Sequence, residues 1–534
     1  MKSDLVFYNG TIHGYNDPSV TAVAIAETKI LTTGTDDAVL GTLKRCGQAV
    51  DLKGRSLLPG FVDSHGHFLS YALSLDRIRL DGCNSLEKAL EIIAEHQRKV
   101  RPGEWIQGAG WEVNRWGGEF PTRHALDRVA PGNPVALRSK DGHTAWLNTR
   151  ALTELGITAA SPEPPGGKIP RLVENGSPAG ILYEAAADRA LSRIPRISNE
   201  SLDAKMLRAT SLLHGNGVTG IHDFEGRSAF QALQRLHRNH QLRLRVLKYF
   251  SDDELDAAIE FGVLSGYGDE LLKIGGVKVY ADGALGSRSA HMLDNYCGEP
   301  DNYGIVVTSA VQLANLAGKA AAAGITIAIH AIGDAAVRSS LNALEVAIRT
   351  EHAQPSATPA LRHRLEHVQM VSEEDLLRFG HPRVAISVQP SHLLFDMEMA
   401  DRLWGVERTE RAYPYRSLMK SGALVVFGSD FPVDVPRPLT GIFSAVTRRR
   451  PDGHPGPAGW HPAERISLDD ALQAYTLNPA ILAGEEGRVG TITEGKLADL
   501  VVVSSDITTC PPQDILGIEV DMTVFAGEIV FERK

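Results

Sequence analysis

Residues 57–67 read LLPGFVDSHGH, an apolar run that follows a turn signal and closes on His65-Gly66-His67. Its length and composition fit a buried β-strand. Alternate residues of a strand face the same way, so the two imidazoles leave one strand end side by side, in a geometry suited to chelating a metal. Asp63 shares their parity one step deeper and reads as a residue that orients the histidines rather than as a ligand. Because His-x-His pairs also arise by chance in a chain with 19 histidines, the rest of the sequence decides what the triplet means.

Beyond this strand the chain alternates strand-like and helix-like stretches, the mark of βα units around a parallel sheet. Further strands are read at GVTGIHDF (217–224), LRVLKYF (244–250), KIGGVKVYADG (273–283), GITIAIHAIGD (324–334), HRLEHVQ (363–369), VAISVQP (384–390) and ALVVFGSDFP (423–432). Helical patterns lie between them, such as SAVQLANLAGKAAAAG, bounded by Ser309 and Gly324. Eight strands with intervening helices imply an α/β fold, a (β/α)8 TIM-like barrel whose active site lies at the C-terminal strand ends.

Short strands broken by Gly and Asp fill both chain ends, so residues 1–57 and 485–534 are expected to form one composite β-sandwich domain bracketing a barrel at 58–484. The long gap after the first barrel strand is read as an insertion, 82–205, forming a lid or pocket wall. Trp111, Trp116 and Trp146 are candidate apolar lining there, with packing of the insertion's own core as the alternative.

Composition narrows the class. The 534 residues are 43% hydrophobic and 22% charged, ordinary for a globular protein, and too many for one core. A formal net charge of -10 argues against a nucleic-acid partner, and Arg448–Arg450 is read as a solvated loop feature. Cys46, Cys83, Cys297 and Cys510 follow neither a disulfide nor a thiolate-metal spacing. No apolar run of about 18 residues suggests a membrane span, so a cytoplasmic protein acting on a small molecule, with homodimerisation left open, is the expectation.

Polar residues then appear where strands should simply end. His65 and His67 close the first strand, Lys278 lies on the fourth, His330 ends the fifth, His367 the sixth and Asp430 the eighth. So many potential ligands at one level of a barrel make a stronger pattern than any one of them. Lys278 paired with Asp282 at the surface, His330 and His367 as core histidines, and Asp430 as a turn residue are the alternatives.

The stretches PGFVDSHGH, KVYADGALGSRSA, HAIGDAAV, RLEHVQ, FGSDFPV and GRVGTITEGKLADLVVV resemble the amidohydrolase superfamily, specifically its YtcJ-like, amidohydrolase-3 branch, which includes N-substituted formamide deformylases. The resemblance spans nearly the whole chain. It implies two divalent metal ions, zinc first and Mn, Fe or Co next, held by His65, His67, His330, His367 and Asp430, with Lys278 N6-carboxylated as a bridge. It implies cleavage of a non-peptide C–N bond (amide, formamide or cyclic amide) by a hydroxide bridging the metals, with Asp430 moving the proton. A mononuclear deaminase, a lactone or ester hydrolase and a noncatalytic scaffold are the alternatives. Asp282, Arg288, Gln389 and, in the insertion, Asp141, His143 and Trp111 are candidate substrate contacts, with loop hydrogen bonding as the competing reading.

Overall fold

The computed structural model describes residues 2–14, 19–140, 142–195, 197–353 and 361–534. Eight parallel strands form one sheet: β1 (Phe61–Gly66), β2 (Val218–Asp223), β3 (Arg245–Ser251), β4 (Leu272–Tyr280), β5 (Thr326–Ala331), β6 (His363–His367), β7 (Val384–Val388) and β8 (Leu424–Phe427). Each pairs with the next in sequence order. The circle closes where Asp430 N–H donates to His65 O and His67 N–H donates to Phe431 O, both at 2.8 Å. Two glycines permit this seam: a Cβ on Gly66 would stand 2.0 Å from the Phe431 ring, and one on Gly428 would stand 2.5 Å from His65 N.

Strand alternation divides the buried residues between two layers. Val277, Val279, Ile327, Ile329 and Leu365 face outward and pack with helical residues such as Leu313, Ala317 and Leu344. Phe224, Leu247, Tyr249, Ala328, Ala385 and Val426 fill the inside of the barrel. Among the covering helices, Ala310–Ala322 begins at a reciprocal Ser309–Gln312 capping box, worth about 1 kcal/mol.

Strands from both chain ends share one β-structure. A five-stranded sheet runs in the order Thr11–Ile12, Ser56–Pro59, Leu500–Val503, Val520–Phe525, Glu528–Glu532. A four-stranded sheet comprises Lys29–Gly34, Ala22–Ala26, Ser3–Tyr8 and Leu43–Asp51. Leu5, Phe7, Val23 and Ile25 pack with Leu57, Leu500, Val502 and Val524 in a common core. The barrel and these sheets form a single compact unit, Met1–Tyr71 with Asp203–Lys534.

Ala72–Leu202 is a second compact unit, beginning earlier than the 82 read from sequence. Its six-stranded mixed sheet runs Gly167–Lys168, Ile181–Glu184, Thr144–Leu147, Val135–Ser139, Ile106–Trp111, Ile78–Arg79. Trp111 and Trp146 are buried in its core with Leu126, Leu137 and Ile181, and Trp116 packs against them. Each indole N–H is used on a backbone carbonyl of this unit: Trp111 on Leu137, Trp116 on Cys83 and Trp146 on Thr122.

The arginine run is a correction to the sequence reading. Arg448 is fully buried, donating to the carbonyls of Trp460, Tyr413 and Ala412, with the Tyr415 and Trp460 rings 5.5 and 5.3 Å from its guanidinium carbon. Burial pushes it down to about 10. Among the described residues no helix is long and apolar enough to cross a membrane.

Candidate metal centre

His65, His67, Lys278, His330, His367 and Asp430 come together at the C-terminal end of the barrel interior. Nitrogen and carboxylate atoms of His65, His67 and Asp430 lie within 4.8 Å of one another. His67 Nε2 stands 3.2 Å, and His65 Nε2 3.7 Å, from Asp430 Oδ1. The His65 and His367 rings are 4.8 Å apart between centroids, and the His367 and His330 rings 4.4 Å.

Three imidazoles are anchored through one nitrogen. His65 Nδ1 donates to Glu366 Oε2 at 2.6 Å, His367 Nδ1 to Gln389 Oε1 at 2.7 Å, and His330 Nε2 to Gly283 O at 3.0 Å. The remaining nitrogens, His65 Nε2, His367 Nε2 and His330 Nδ1, are left as lone-pair donors. Burial pushes His65 down to about 3 and His330 to about 4, and holds His367 well below the ordinary range, so the rings are neutral, as metal ligation requires. Burial opposes ionisation of Asp430, but the neighbouring histidines hold it below the usual carboxylate range.

Lys278 is 2% exposed, with Nζ 4.6 Å from the centre of the Phe224 ring. Burial pushes its ammonium down to about 8. It is not paired with Asp282, whose carboxylate instead accepts the backbone N–H groups of His291, Ile332 and Gly333.

A buried ion pair supports the set from below. Arg364 grips Glu366 through Nε and Nη2, donates to Ser64 O at 2.6 Å and to His222 Nδ1 at 2.8 Å, and lies over the Phe224 and Tyr249 rings. Both partners are 0% exposed. Burial disfavours a charged Glu366, yet Arg364 and His65 hold it well below the ordinary range. Asp63 accepts from His65 N–H and from the N–H and hydroxyl of Ser429, tying the residue before Asp430 to β1; burial raises it to about 7.

Two candidate ligands sit in left-handed backbone, His367 at φ +75° and Asp430 at φ +59°. Such strain in residues other than glycine costs of order 1–3 kcal/mol and collects at functional sites. At His367 it has a visible use. Regular alternation would send Glu366 and His367 to opposite faces, but the backbone leaves the extended conformation there, and both reach the interior.

The expected substrate contacts fare differently. Asp282 is a buried structural carboxylate, its capacity taken up by three backbone donors. Gln389 is 2% exposed and orients His367. Trp111, at 1% exposure, is packed in the insertion's own core. Arg288 is exposed and paired with Glu299. His143 pairs with Glu184 within the insertion, and Asp141 lies outside the described residues. Sequence reading missed Arg364, Glu366, His222, Phe224 and Tyr280. The available signal was the spacing of Arg364 and Glu366, two opposite charges on one face of a single short strand.

A sequence profile of the amidohydrolase family matches residues 48–531. The chain belongs to the amidohydrolase family. This amidohydrolase is 33% identical to the protein LONG AFTER FAR-RED 3 of Arabidopsis thaliana, over 94% of this chain and 88% of that one. It is 29% identical to an N-substituted formamide deformylase of Arthrobacter pascens, over 99% and 98% of the two chains. Among solved structures, an uncharacterized metal-dependent hydrolase from Pyrococcus horikoshii superposes with a TM-score of 0.77 at 27% identity, covering 95% of the amidohydrolase and 99% of the other chain.

Proposed function

We propose that this chain is a metal-dependent hydrolase of a non-peptide C–N bond in an N-formyl, N-acyl or cyclic amide. The observation that carries the reading is the donor set: three imidazoles, each anchored through one nitrogen with the other left over, beside an Asp430 carboxylate 3.2 Å from His67. Nitrogen and oxygen donors without a thiolate suit zinc first, then Mn, Fe or Co. His65, His67, His330, His367 and Asp430 would hold two divalent ions, with Lys278 as an N6-carboxylated bridge. Burial of Lys278 with no carboxylate in ion-pair reach, among the described residues, supports that role. When bound, such ions polarise a carbonyl and acidify water.

The chain's own groups do the rest. Asp430 takes a proton from the attacking water at a carboxylate oxygen and returns it to the leaving nitrogen, so that the amine departs neutral. Glu366 and Gln389 keep the His65 and His367 rings fixed while charge builds up. The relative named for N-substituted formamides suggests the acyl group to try first. The test is hydrolysis of a panel of N-formyl and N-acyl amines, with elemental analysis and a chelator arm. Turnover with about two metals per chain, lost on chelation, is expected; chelator-resistant turnover overturns the reading.

A further inference from the structure

We propose that Tyr280 is a catalytic residue of this centre, its phenol donating a hydrogen bond to the oxygen of the carbonyl under attack and keeping it as that oxygen becomes an oxyanion. The inference rests on the amide-hydrolase reading above.

Along β4, Val277 and Val279 are buried in the outward layer, so Lys278 and Tyr280 share the inward face. Tyr280 pairs in register with His330 on β5, and the two rings are 5.3 Å apart between centroids. Lys278 Nζ lies 5.2 Å from the centre of the Tyr280 ring. The aromatic therefore stands one step above Lys278 and level with His330. Lys278 is 2% exposed and the His330 side chain 13%, whereas Tyr280 is 42% exposed, so it is where this inward row meets solvent.

Its hydroxyl makes no hydrogen bond to any described residue, unlike those of the buried Tyr296 and Tyr413, which donate to Ala290 O and Asp396. Beside it, His330 Nε2 is occupied by Gly283 O, and Asp430 and Glu366 are acceptors. The phenol is thus an uncharged donor, held on a strand beside His330 and Lys278 and exposed to solvent. A preorganised donor of this kind at a developing oxyanion is worth about 10²–10³ in kcat.

The test compares Tyr280→Phe, which keeps the ring, with Tyr280→Leu, which does not, on the amide the metal-loaded parent turns over fastest. The expected result for Tyr280→Phe is a kcat lower by about 10²–10³ with KM within about threefold, at unchanged metal content and melting temperature. The affinity for a phosphonamidate analogue of that amide, a tetrahedral mimic, should fall by a similar factor. A Phe variant that keeps kcat while only the Leu variant loses it would make Tyr280 a packing platform and overturn the proposal, leaving the amide reading intact. A parent that hydrolyses no amide overturns that reading and this inference with it.

Discussion

The barrel interior and the core of the insertion are both buried, and both were prominent in the sequence, one for its histidines and the other for its tryptophans. They differ in what remains unspent. In the insertion, Trp111, Trp116 and Trp146 stack edge-on or offset, with centroids 5.9–6.1 Å apart, and every indole N–H ends on a local carbonyl. At the barrel end, polar atoms are left over: Gln389 Nε2 and His392 Nε2 are buried without a hydrogen-bond partner, and three imidazoles keep a bare nitrogen. These indoles have spent their polar atoms on nearby backbone, whereas the barrel end keeps several in reserve.

The contrast can be broken by experiment. The largest effect belongs to His65→Ala, which should abolish metal loading and turnover while circular dichroism shows the barrel still folded; full activity would remove His65 from the centre. Next comes Trp146→Ala, expected to cost about 3–5 kcal/mol in urea unfolding with the metal content of the protein unchanged. If that substitution instead strips metal without a stability loss, the tryptophan core is part of the site. Glu366→Gln should weaken zinc affinity about 10–100-fold in chelator competition, because His65 loses its anionic anchor. Unaltered affinity would reduce Glu366 to a partner of Arg364. Arg288→Ala is the smallest: an exposed ion pair is worth about 0–1 kcal/mol, so melting temperature should barely move. A large shift in KM on Arg288→Ala would return that residue to the list of substrate contacts.

Most of the eight barrel strands were legible as short, largely apolar runs bounded by turn residues, whereas β6, HRLEH, was legible only from its place in the alternation of strands and helices. Five of the six polar residues stood out at or just past strand ends, and Lys278 as a lone lysine within an apolar strand. Glu366 was hidden by its neighbour: alternation allows one inward residue per pair, and the positive φ of His367 that admits both leaves no trace in composition. Arg448 misled for a related reason. Three consecutive arginines suggest solvent, and only the fold supplies the carbonyls and rings that enclose the first of them. Trp111 and Asp282 were read as contacts because aromatic and acidic residues in loops serve either purpose, and the choice is made by hydrogen bonds to backbone far away in sequence or across a sheet.

The pairing of Ser56–Pro59 with Leu500–Val503 has a temporal side. An early strand must wait for about 440 further residues before its neighbour is synthesised, on the order of 20–90 s at typical elongation rates. Throughout that interval an apolar edge, Leu57 and Leu58 included, lies open to wrong partners. Expression yield should therefore respond to chaperone supply and to growth temperature more than the stability of the finished protein would suggest.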